Sequence, residues 1–394
     1  MSRQSLIQSK LPSTGTTIFT TMSALAVEHG AVNLGQGFPD FDCDPQLLSL
    51  MNQALHAGHN QYAPMAGVMA LREALSQQIE SLYGHCYDPA SEITITAGAT
   101  QAIHTAVSVV VHPGDEVILF EPVYDSYEPA IRLNGGIPVY ARLRAPAYRP
   151  DWNEVRALLT PRTRAIIINT PHNPTASLWT QEDMQSLAML LRNTNVVIIS
   201  DEVYEHIVYD GARHESVSRY PALAERSFMV SSFGKAYHIT GWKIACCAAP
   251  ADLMAEFRKA HQYVVFCVHA PSQYALAQYL KFNRHVELKH FYQHKRDLFL
   301  KTVRDCGLRW LSSQGTYFVS ASYAQLPSLA AMNDQQVAAW FTTELGVACI
   351  PLSAFYHDAF DEHIIRFCFA KQDATLQRAA ERLSLLKSRM TIDA

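Results

Sequence analysis

The stretch Ser231-Ser232-Phe233-Gly234-Lys235-Ala236-Tyr237-His238-Ile239-Thr240-Gly241-Trp242-Lys243 lies between two apolar runs. The run before it, residues 228–230, and the run after it, residues 244–249, each have the apolar character of a buried strand. A loop with lysines at positions 235 and 243, a pair of serines and two glycines therefore joins two predicted strands. Such a loop places polar groups at the edge of a buried sheet.

The chemistry of this loop suggests a ligand. A lysine close to buried strands tends to lose its proton, because a low dielectric disfavours the ammonium form. The neutral amine of Lys235 can attack an aldehyde and form a Schiff base. Serine hydroxyls and the charged Lys243 suit a phosphate. Pyridoxal 5'-phosphate (PLP) carries both groups, so the segment raises the hypothesis of a PLP site, with a solvated surface lysine as the open alternative.

Length and composition bound the class of protein. The chain has 394 residues, which predicts two domains, or one large domain with a smaller companion. Hydrophobic residues make up 48% and charged residues 17% of the chain, as in ordinary globular proteins with a large core. A formal net charge of -4, without a long basic run, argues against nucleic acid or an anionic membrane as a partner.

The cysteines, the termini and the histidines carry further expectations. Eight cysteines are scattered without a C-x-x-C pair, so we expect buried free thiols in a reducing compartment, with Cys246 and Cys247 on opposite faces of a strand.

Residues 1–10 lack the apolar core of a secretory signal, and no apolar run reaches the length of about 18 residues that a membrane span needs. The sequence therefore predicts a cytoplasmic protein. The 17 histidines show no metal-ligand spacing, so no metal site is predicted.

From residue 91 onward, short apolar runs alternate with segments of helical pattern. The fully apolar runs at 165–169 and 196–200 are typical of central parallel strands. This alternation predicts an α/β fold with a mostly parallel sheet and helices on both faces. Other predicted strands lie at 93–96, 117–120, 137–143 and 228–232, and predicted helices lie at 18–27, 45–57, 67–83, 102–111, 181–191, 253–282 and 285–306. Antiparallel strands at 317–321 and 364–369, with helices near 334–345 and 373–387, indicate a smaller C-terminal domain.

Polar residues follow the ends of several predicted strands. Asn173, Asp201, Tyr204 and Lys235 each come just after a strand, at the edge where open sheets of this kind bind their ligands. Their convergence predicts a binding site at that edge. The small-residue turn at 97–101 precedes a helix whose first N–H groups suit a phosphate, although such turns also occur for geometry alone.

Several motifs together resemble those of the PLP-dependent aminotransferases of fold type I, class I/II. They are Asn173-Pro174, Asp201-Glu202-Val203-Tyr204, Ser-Phe-Gly-Lys235 with Gly241-Trp242-Lys243, and Arg366 in a late strand. Within that class, the segments at 33–40, 60–62 and 121–127 are most similar to the methionine aminotransferases and the kynurenine (glutamine-type) aminotransferases. The resemblance covers residues 15–390, nearly the whole chain.

The resemblance implies a fold and a division of the chain. The expected fold is a mostly parallel seven-stranded sheet in a large domain, with a smaller α+β domain. Residues 1–45 would form an N-terminal arm and part of the small domain, residues 46–285 the large PLP-binding domain, and residues 286–394 the C-terminal small domain. The expected assembly is a homodimer with a shared active site, to which the second subunit would contribute Tyr62.

The resemblance also implies roles for individual residues. Lys235 would hold PLP as a Schiff base and then transfer protons, while Asp201 would keep the pyridine nitrogen protonated. Arg366 would bind the substrate α-carboxylate through a bidentate pair of hydrogen bonds from its guanidinium. The expected catalytic residues are Lys235, Asp201 and Tyr204, and the expected substrate-binding residues are Gly37, Asn173 and Arg366. The expected cofactor-binding residues are Gly98, Ala99, Thr100, Tyr124, Asn173, Asp201, Tyr204, Ser232, Lys235, Lys243 and Tyr62.

The resemblance implies transamination of an L-amino acid with a large uncharged side chain, such as methionine, glutamine, kynurenine or an aromatic residue, to give a 2-oxo acid. A PLP-dependent cysteine-S-conjugate β-lyase is the alternative, because the same substrate carbanion can eject a β-thiol. A PLP-binding regulatory protein would carry an added DNA-binding segment, for which the first 15 residues are too short. A nucleotide-binding α/β protein lacks support, because neither G-x-G-x-x-G nor a P-loop occurs.

Overall fold

The computed structural model of the chain describes residues 6–12 and 14–392. In chain order, its strands are β1 Val32–Asn33, β2 Ile93–Thr96, β3 Glu116–Glu121, β4 Ile137–Arg142, β5 Thr163–Asn169, β6 Val197–Asp201, β7 Ser227–Ser232, β8 Ala245–Ala248, β9 Arg309–Trp310, β10 Phe318–Ser322, β11 Val347–Ala348, β12 Ile350–Pro351 and β13 Ile364–Cys368. Its α-helices are α1 Ile18–Glu28, α2 Pro45–His56, α3 Met69–Tyr83, α4 Ala99–Val110, α5 Tyr127–Leu133, α6 Trp152–Leu158, α7 Gln181–Leu191, α8 Pro221–Ala224, α9 Phe233–Ala236, α10 Ala251–Val264, α11 Ala270–Tyr279, α12 His285–Val303, α13 Pro327–Ala330, α14 Asp334–Trp340, α15 Asp373–Ser384 and α16 Leu386–Ile392.

The large sheet has seven strands in the order β2-β8-β7-β6-β5-β3-β4. Neighbouring strands from β7 to β4 run parallel, whereas β8 runs antiparallel to both β2 and β7. The mostly parallel seven-stranded sheet is therefore confirmed. Because the parallel strands end at the same edge, the loops after β3, β5, β6 and β7 all leave from that edge.

Apolar side chains of the large sheet alternate between its two faces. Ile166 belongs to one apolar core and its neighbour Ile167 to another, as expected for a strand buried on both sides. Cys246 and Cys247 of β8 divide between the same two cores, as predicted. Helices α3 and α7 pack on the first face, and α4 and α10 on the second.

Smaller sheets lie in the C-terminal part of the chain. Strands β12, β13, β10 and β9 form an antiparallel sheet in that order, in which Arg366 of β13 pairs with Ser320 of β10. Strand β1 pairs in parallel with β11, so the N-terminal segment joins the C-terminal part of the molecule. The boundaries predicted at residues 45 and 285 stay predictions.

Several helices differ from the sequence-based prediction; for example, the α-helix predicted near 334–345 ends at Trp340, and the one predicted near 373–387 is divided into α15 and α16. The helix predicted from residue 102 begins at Ala99, because Gly98 adopts a positive φ of 83° and allows the chain to turn directly into the helix. The single helix predicted at 253–282 is divided into α10 and α11. Pro271, in the first turn of α11, has no N–H to continue a helical ladder, so the chain is interrupted before it.

All eight cysteines are free thiols, but the prediction that they are buried is wrong for Cys86, which is exposed, and for Cys43 and Cys267, which are half-buried. Cys86 follows the C-terminal end of α3, where the chain runs along the surface. Within residues 6–12 and 14–392, every helix is too short or too polar to cross a membrane.

Candidate active site

A cavity opens at the edge where the parallel strands end. It is lined by residues from the loops after β2, β3, β5, β6 and β7. Every predicted cofactor-binding residue except Tyr62 lies in its wall. The lining residues are Gly98, Ala99, Thr100, Ile103, Tyr124, Tyr127, Asn169, Asn173, Asp201, Val203, Tyr204, Ser232, Gly234, Lys235, Thr240, Lys243 and Ile244. The amine of Lys235 and the carboxyl of Asp201 thus share one cavity.

Asp201 is the last residue of β6 and is almost wholly buried. Its Oδ2 accepts a hydrogen bond from the Tyr127 hydroxyl at 2.5 Å, and its Oδ1 accepts one from the backbone N–H of Val203 at 3.2 Å. Burial raises the pKa of the Asp201 carboxyl to about 6, although both hydrogen bonds oppose this rise. A buried carboxylate of this kind is well suited to pair with a cationic ligand group.

The side chain of Asn169 fixes the strand ends relative to each other. Its Nδ2 donates to the backbone carbonyl of Asp201 at 2.8 Å, and its Oδ1 accepts from the backbone N–H of Asn173 at 2.8 Å. One amide therefore joins the end of β6 to the loop after β5. The relative positions of Asp201 and Asn173 depend on this amide.

Lys235 lies in α9, just after β7, with its ammonium group in the cavity. Its Nζ donates to the hydroxyl of Tyr317 at 3.0 Å and to the carbonyl of Gly37 at 3.2 Å, and it lies 5.7 Å from the centre of the Tyr204 ring. Burial lowers the pKa of Lys235 to about 8. A substantial fraction of the amine is therefore neutral, and nucleophilic, near physiological pH.

The other end of the cavity is built for an anion. Ser232 caps α9, and its Oγ accepts from the N–H of Gly234 at 3.2 Å. Lys243 lies across Gly98, where a Cβ on the glycine would come within 3.2 Å of the Lys243 Nζ. The twelve-residue helix α4 starts at this point, with Ala99 and Thr100 in its first turn. Its free N–H groups and the lysine together favour a phosphate.

Arg366 lies at the centre of the small sheet with only 1% of its surface exposed. Its Nη1 donates to the Asn173 Oδ1 at 2.7 Å, and its Nη2 donates to the Gly35 carbonyl at 3.3 Å. Burial lowers the pKa of Arg366 to about 10, so the guanidinium remains charged at neutral pH. Within the described part of the chain, its buried Nε has no hydrogen-bond partner.

Aromatic rings surround this guanidinium. Its central carbon lies 4.0 Å from the centre of the Phe318 ring, 5.0 Å from that of Phe355 and 5.5 Å from that of Phe19. The faces of these rings stabilise the cation without supplying a hydrogen-bond acceptor. A guanidinium has five N–H donors, and the bonds to Asn173 and Gly35 use two of them, so the others stay available to a carboxylate.

Gly37 and Tyr62 differ from the other predicted site residues. Gly37 lies beside the site, but it is its carbonyl that accepts hydrogen bonds, from Lys235 and at 2.5 Å from Tyr317. A Cβ on Gly37 would come within 2.8 Å of the Phe318 ring, which explains the glycine. Tyr62 is 81% exposed and lies outside the cavity, with its ring against Phe266.

Several residues of this site were not predicted from the sequence. Tyr127 was noted only as part of a motif, and Asn169 only as the end of a strand. Tyr317, which touches Lys235, and the aromatic residues around Arg366 come from distant parts of the chain. The position of Asn169 at the end of an apolar strand could have indicated a site residue, whereas no local sequence pattern distinguishes Phe19 or Phe355.

A cluster away from the cavity has the composition of a metal site. Candidate ligand atoms of Glu121, His357 and Asp358 lie within 4.8 Å of one another. The Nη2 of Arg142 lies 2.7 Å from the Asp358 carboxylate and 3.6 Å from that of Glu121. The arginine already supplies the positive charge that a metal ion would bring.

The chain matches the family model for aminotransferase class I and II over residues 29–383. It belongs to this family. It is 50% identical over 381 residues to a methionine aminotransferase of Escherichia coli (strain K12), with 96% of this chain and 98% of the relative covered. It is 40% identical to a probable N-succinyldiaminopimelate aminotransferase of Mycobacterium tuberculosis, with 97% and 98% covered. It is 34% identical to a kynurenine–oxoglutarate transaminase of Dictyostelium discoideum, with 95% and 94% covered.

Solved structures agree with this assignment. A structure of an Escherichia coli methionine aminotransferase superimposes with a TM-score of 0.94 at 49% identity, covering 97% of this chain and all of that one. The fold is therefore fold type I, as predicted. The chain is a transaminase that acts on amino acid and 2-oxo acid substrates, and the alternative of a non-catalytic regulatory protein is set aside.

Proposed function

We propose that this transaminase transfers the amino group of an L-amino acid with a large uncharged side chain to a 2-oxo acid, with PLP as its cofactor. Methionine, glutamine, kynurenine and the aromatic amino acids are the proposed donors. One observation carries the proposal: Lys235 and Asp201 share a cavity with Asn173, which accepts a hydrogen bond from Arg366. The relatives named methionine aminotransferase and kynurenine–oxoglutarate transaminase support this substrate class.

The residues of the cavity fit PLP. An amine of lowered pKa suits its aldehyde, and a buried carboxylate suits its pyridine nitrogen. The contact of Lys243 with Gly98 at the start of α4 suits its phosphate. When bound, PLP supplies an electron-accepting ring joined to the substrate amine.

The chain's own residues would hold the cofactor from several sides. Asp201 would keep the ring nitrogen protonated through a charge-assisted hydrogen bond. Asn173 and Tyr204 would contact the phenolic oxygen, and Tyr124 would pack on the ring face. The proposed phosphate contacts are the N–H groups of Ala99 and Thr100, the Ser232 hydroxyl and the Lys243 ammonium.

Lys235 and Arg366 would act on the substrate. With a pKa of about 8, the Lys235 amine can take up a proton from the substrate Cα and return it. Arg366 would bind the α-carboxylate with two parallel N–H donors, a geometry that only a guanidinium offers. The Gly37 backbone borders the same place, and its proposed N–H contact with the carboxylate stays a prediction.

The surroundings of Arg366 favour an uncharged substrate side chain. Phe19 and Phe355 pack edge to face, with ring centres 5.9 Å apart, beside the guanidinium. A side chain directed toward them meets apolar surface, which stabilises thioether and aromatic groups and disfavours an ionised carboxylate. Transamination is proposed over β-elimination, because the similar proteins are named as transaminases.

We further propose that the enzyme is a cytoplasmic homodimer whose partner subunit completes the site. Tyr62 and Phe266 are 81% and 46% exposed and lie edge to face against each other, and exposed aromatic rings of this kind are often covered at protein interfaces. Light scattering should give the mass of a dimer. A fully active monomer would contradict the shared site.

A panel of the twenty amino acids, each with several 2-oxo acids, tests the proposed substrate class. We expect methionine, glutamine and aromatic donors to give the largest kcat/KM, and aspartate and glutamate to give values at least about ten-fold lower. Equal or better use of the acidic donors would refute the substrate class. Pyruvate release from a cysteine S-conjugate, without transamination of any donor, would favour the β-lyase instead.

A further inference from the structure

The hydroxyl of Tyr127 occupies a position in the site that the proposed function does not use. Tyr127 is the first residue of α5, is only 2% exposed, and packs its ring edge to face against Tyr124, with ring centres 5.7 Å apart. Its hydroxyl donates to the Asp201 Oδ2 at 2.5 Å. Tyr127 and Asp201 are separated by 74 positions in sequence, and this hydrogen bond joins the start of α5 to the end of β6.

The hydrogen bond has a fixed direction. Burial, and then the nearby Asp201 charge, raise the pKa of Tyr127 well above its usual value, so the phenol stays protonated at any working pH. A protonated phenol facing a carboxylate can only donate. This donation favours the ionised form of Asp201 over the neutral form.

Other groups act on the same carboxylate. The N–H of Val203 and the positive charge of Lys235 favour its ionised form, whereas burial and the neighbouring Glu202 favour its protonated form. Among the groups that favour ionisation, the hydrogen bond of Tyr127 has the largest effect. The Val203 N–H donates to Oδ1, and the Tyr127 hydroxyl donates to Oδ2. Of these two donors, Tyr127 is therefore the one that fixes the position of Oδ2.

We propose that Tyr127 is a positioning residue that holds the Asp201 carboxylate ionised and oriented toward the cofactor's ring nitrogen. The inference rests on the proposed function, because it assumes that Asp201 pairs with that nitrogen. Tyr127 acts through Asp201, so its removal changes cofactor binding in a pH-dependent way. A purely structural role of the ring would be preserved by phenylalanine.

The test measures the dissociation constant of PLP for the apoprotein by quenching of tryptophan fluorescence, in wild type and in Tyr127→Phe. Without the phenol, the pKa of Asp201 rises, and a larger fraction of the carboxyl is protonated as the pH falls. We expect Tyr127→Phe to bind PLP about ten-fold more weakly at pH 6.5, and less than about three-fold more weakly at pH 8.5. Titration of the phosphate of free PLP is the same in both experiments, so it cancels in the ratio of the two dissociation constants.

Tyr87→Phe is the matched control. Tyr87 is fully buried, and its hydroxyl hydrogen-bonds to Ser218 away from the cavity. This variant loses a buried phenol hydroxyl of the same kind. The ratio of its PLP dissociation constant to that of the wild type should be the same at both pH values. A Tyr127→Phe protein that behaves in the same way as Tyr87→Phe would overturn the inference.

A double-mutant cycle separates a general loosening of the site from an effect through Asp201. In an Asp201→Asn background there is no carboxylate to keep ionised, so adding Tyr127→Phe should change PLP affinity less than about two-fold. An equal loss in both backgrounds would overturn the inference and leave the proposed function intact. Failure of the wild type to bind PLP in a form that borohydride reduces would overturn both.

Discussion

The two ends of the active site are built in different ways. At one end, Asp201 is the last residue of its strand, and Asn173 and Lys235 come soon after the ends of the two neighbouring strands of the same sheet. At the other end, Arg366 projects from a separate antiparallel sheet and is surrounded by aromatic rings from distant segments. The first end is fixed by the hydrogen bonds of a continuous sheet, and the second by side-chain packing.

This difference indicates that one end of the site serves the chemical step and the other serves substrate binding. Strand ends held 4.7–4.9 Å apart, a spacing typical of β-sheets, can keep an acid and an amine in a constant geometry, which the chemistry requires. Aromatic packing around a buried cation tolerates small changes of shape, which suits a surface that must accept different substrates. Substitutions at the strand ends should therefore act mainly on kcat, and substitutions around Arg366 mainly on KM.

The largest effect is expected at Lys235. Lys235→Ala removes the amine that binds the aldehyde and moves the proton, so kcat should fall by about 10⁴-fold or more. The visible absorbance that borohydride bleaches in the wild type should be absent. The control is Lys259→Ala, because the Lys259 side chain is 70% exposed and pairs with Glu256 on the surface. A Lys235→Ala protein with wild-type activity would refute the assignment.

A smaller effect is expected at Arg366. Arg366→Ala removes two charge-assisted donors to the α-carboxylate, and kcat/KM should fall by roughly 100-fold for every amino acid. Because every amino acid substrate carries the same α-carboxylate, the relative kcat/KM values of the different amino acids should stay nearly constant. Arg366→Lys keeps the positive charge but loses the paired N–H donors of the guanidinium. Its kcat/KM should therefore lie between those of the wild type and Arg366→Ala. An unchanged KM in both variants would show that the carboxylate binds elsewhere.

The same contrast explains what the sequence could predict. Runs such as residues 165–169 are apolar throughout, so their strand character, their burial and their parallel neighbours follow from local pattern. The polar residues that come directly after such runs share one edge for a topological reason. The strand-end half of the site was therefore predictable as a group of residues.

The remaining features depend on tertiary contacts. Phe19 and Phe355 lie far apart in sequence and meet only because α1 packs against the segment after β12. The hydroxyl of Tyr317 contacts Lys235, and that of Tyr127 contacts Asp201. The residues of each pair are far apart in sequence, so no local pattern of the sequence predicts the contact. The motif at Gly37 predicted a contact with the site, but not that the carbonyl would face Lys235.

The smallest effect is expected at Phe355, and it is the sharpest test of the packed end. Phe355→Leu keeps an apolar side chain but removes the ring face that lies 5.0 Å from the Arg366 guanidinium. A cation–π contact of this kind is worth about 0.5–1 kcal/mol, so KM should rise about three-fold for all donors, with kcat nearly unchanged. Phe257→Leu is the matched control, because Phe257 is equally buried but packs against Phe228 in the opposite core. If Phe355→Leu lowered kcat as strongly as it raised KM, the packed end would take part in the chemistry, and the division between the two ends would be wrong.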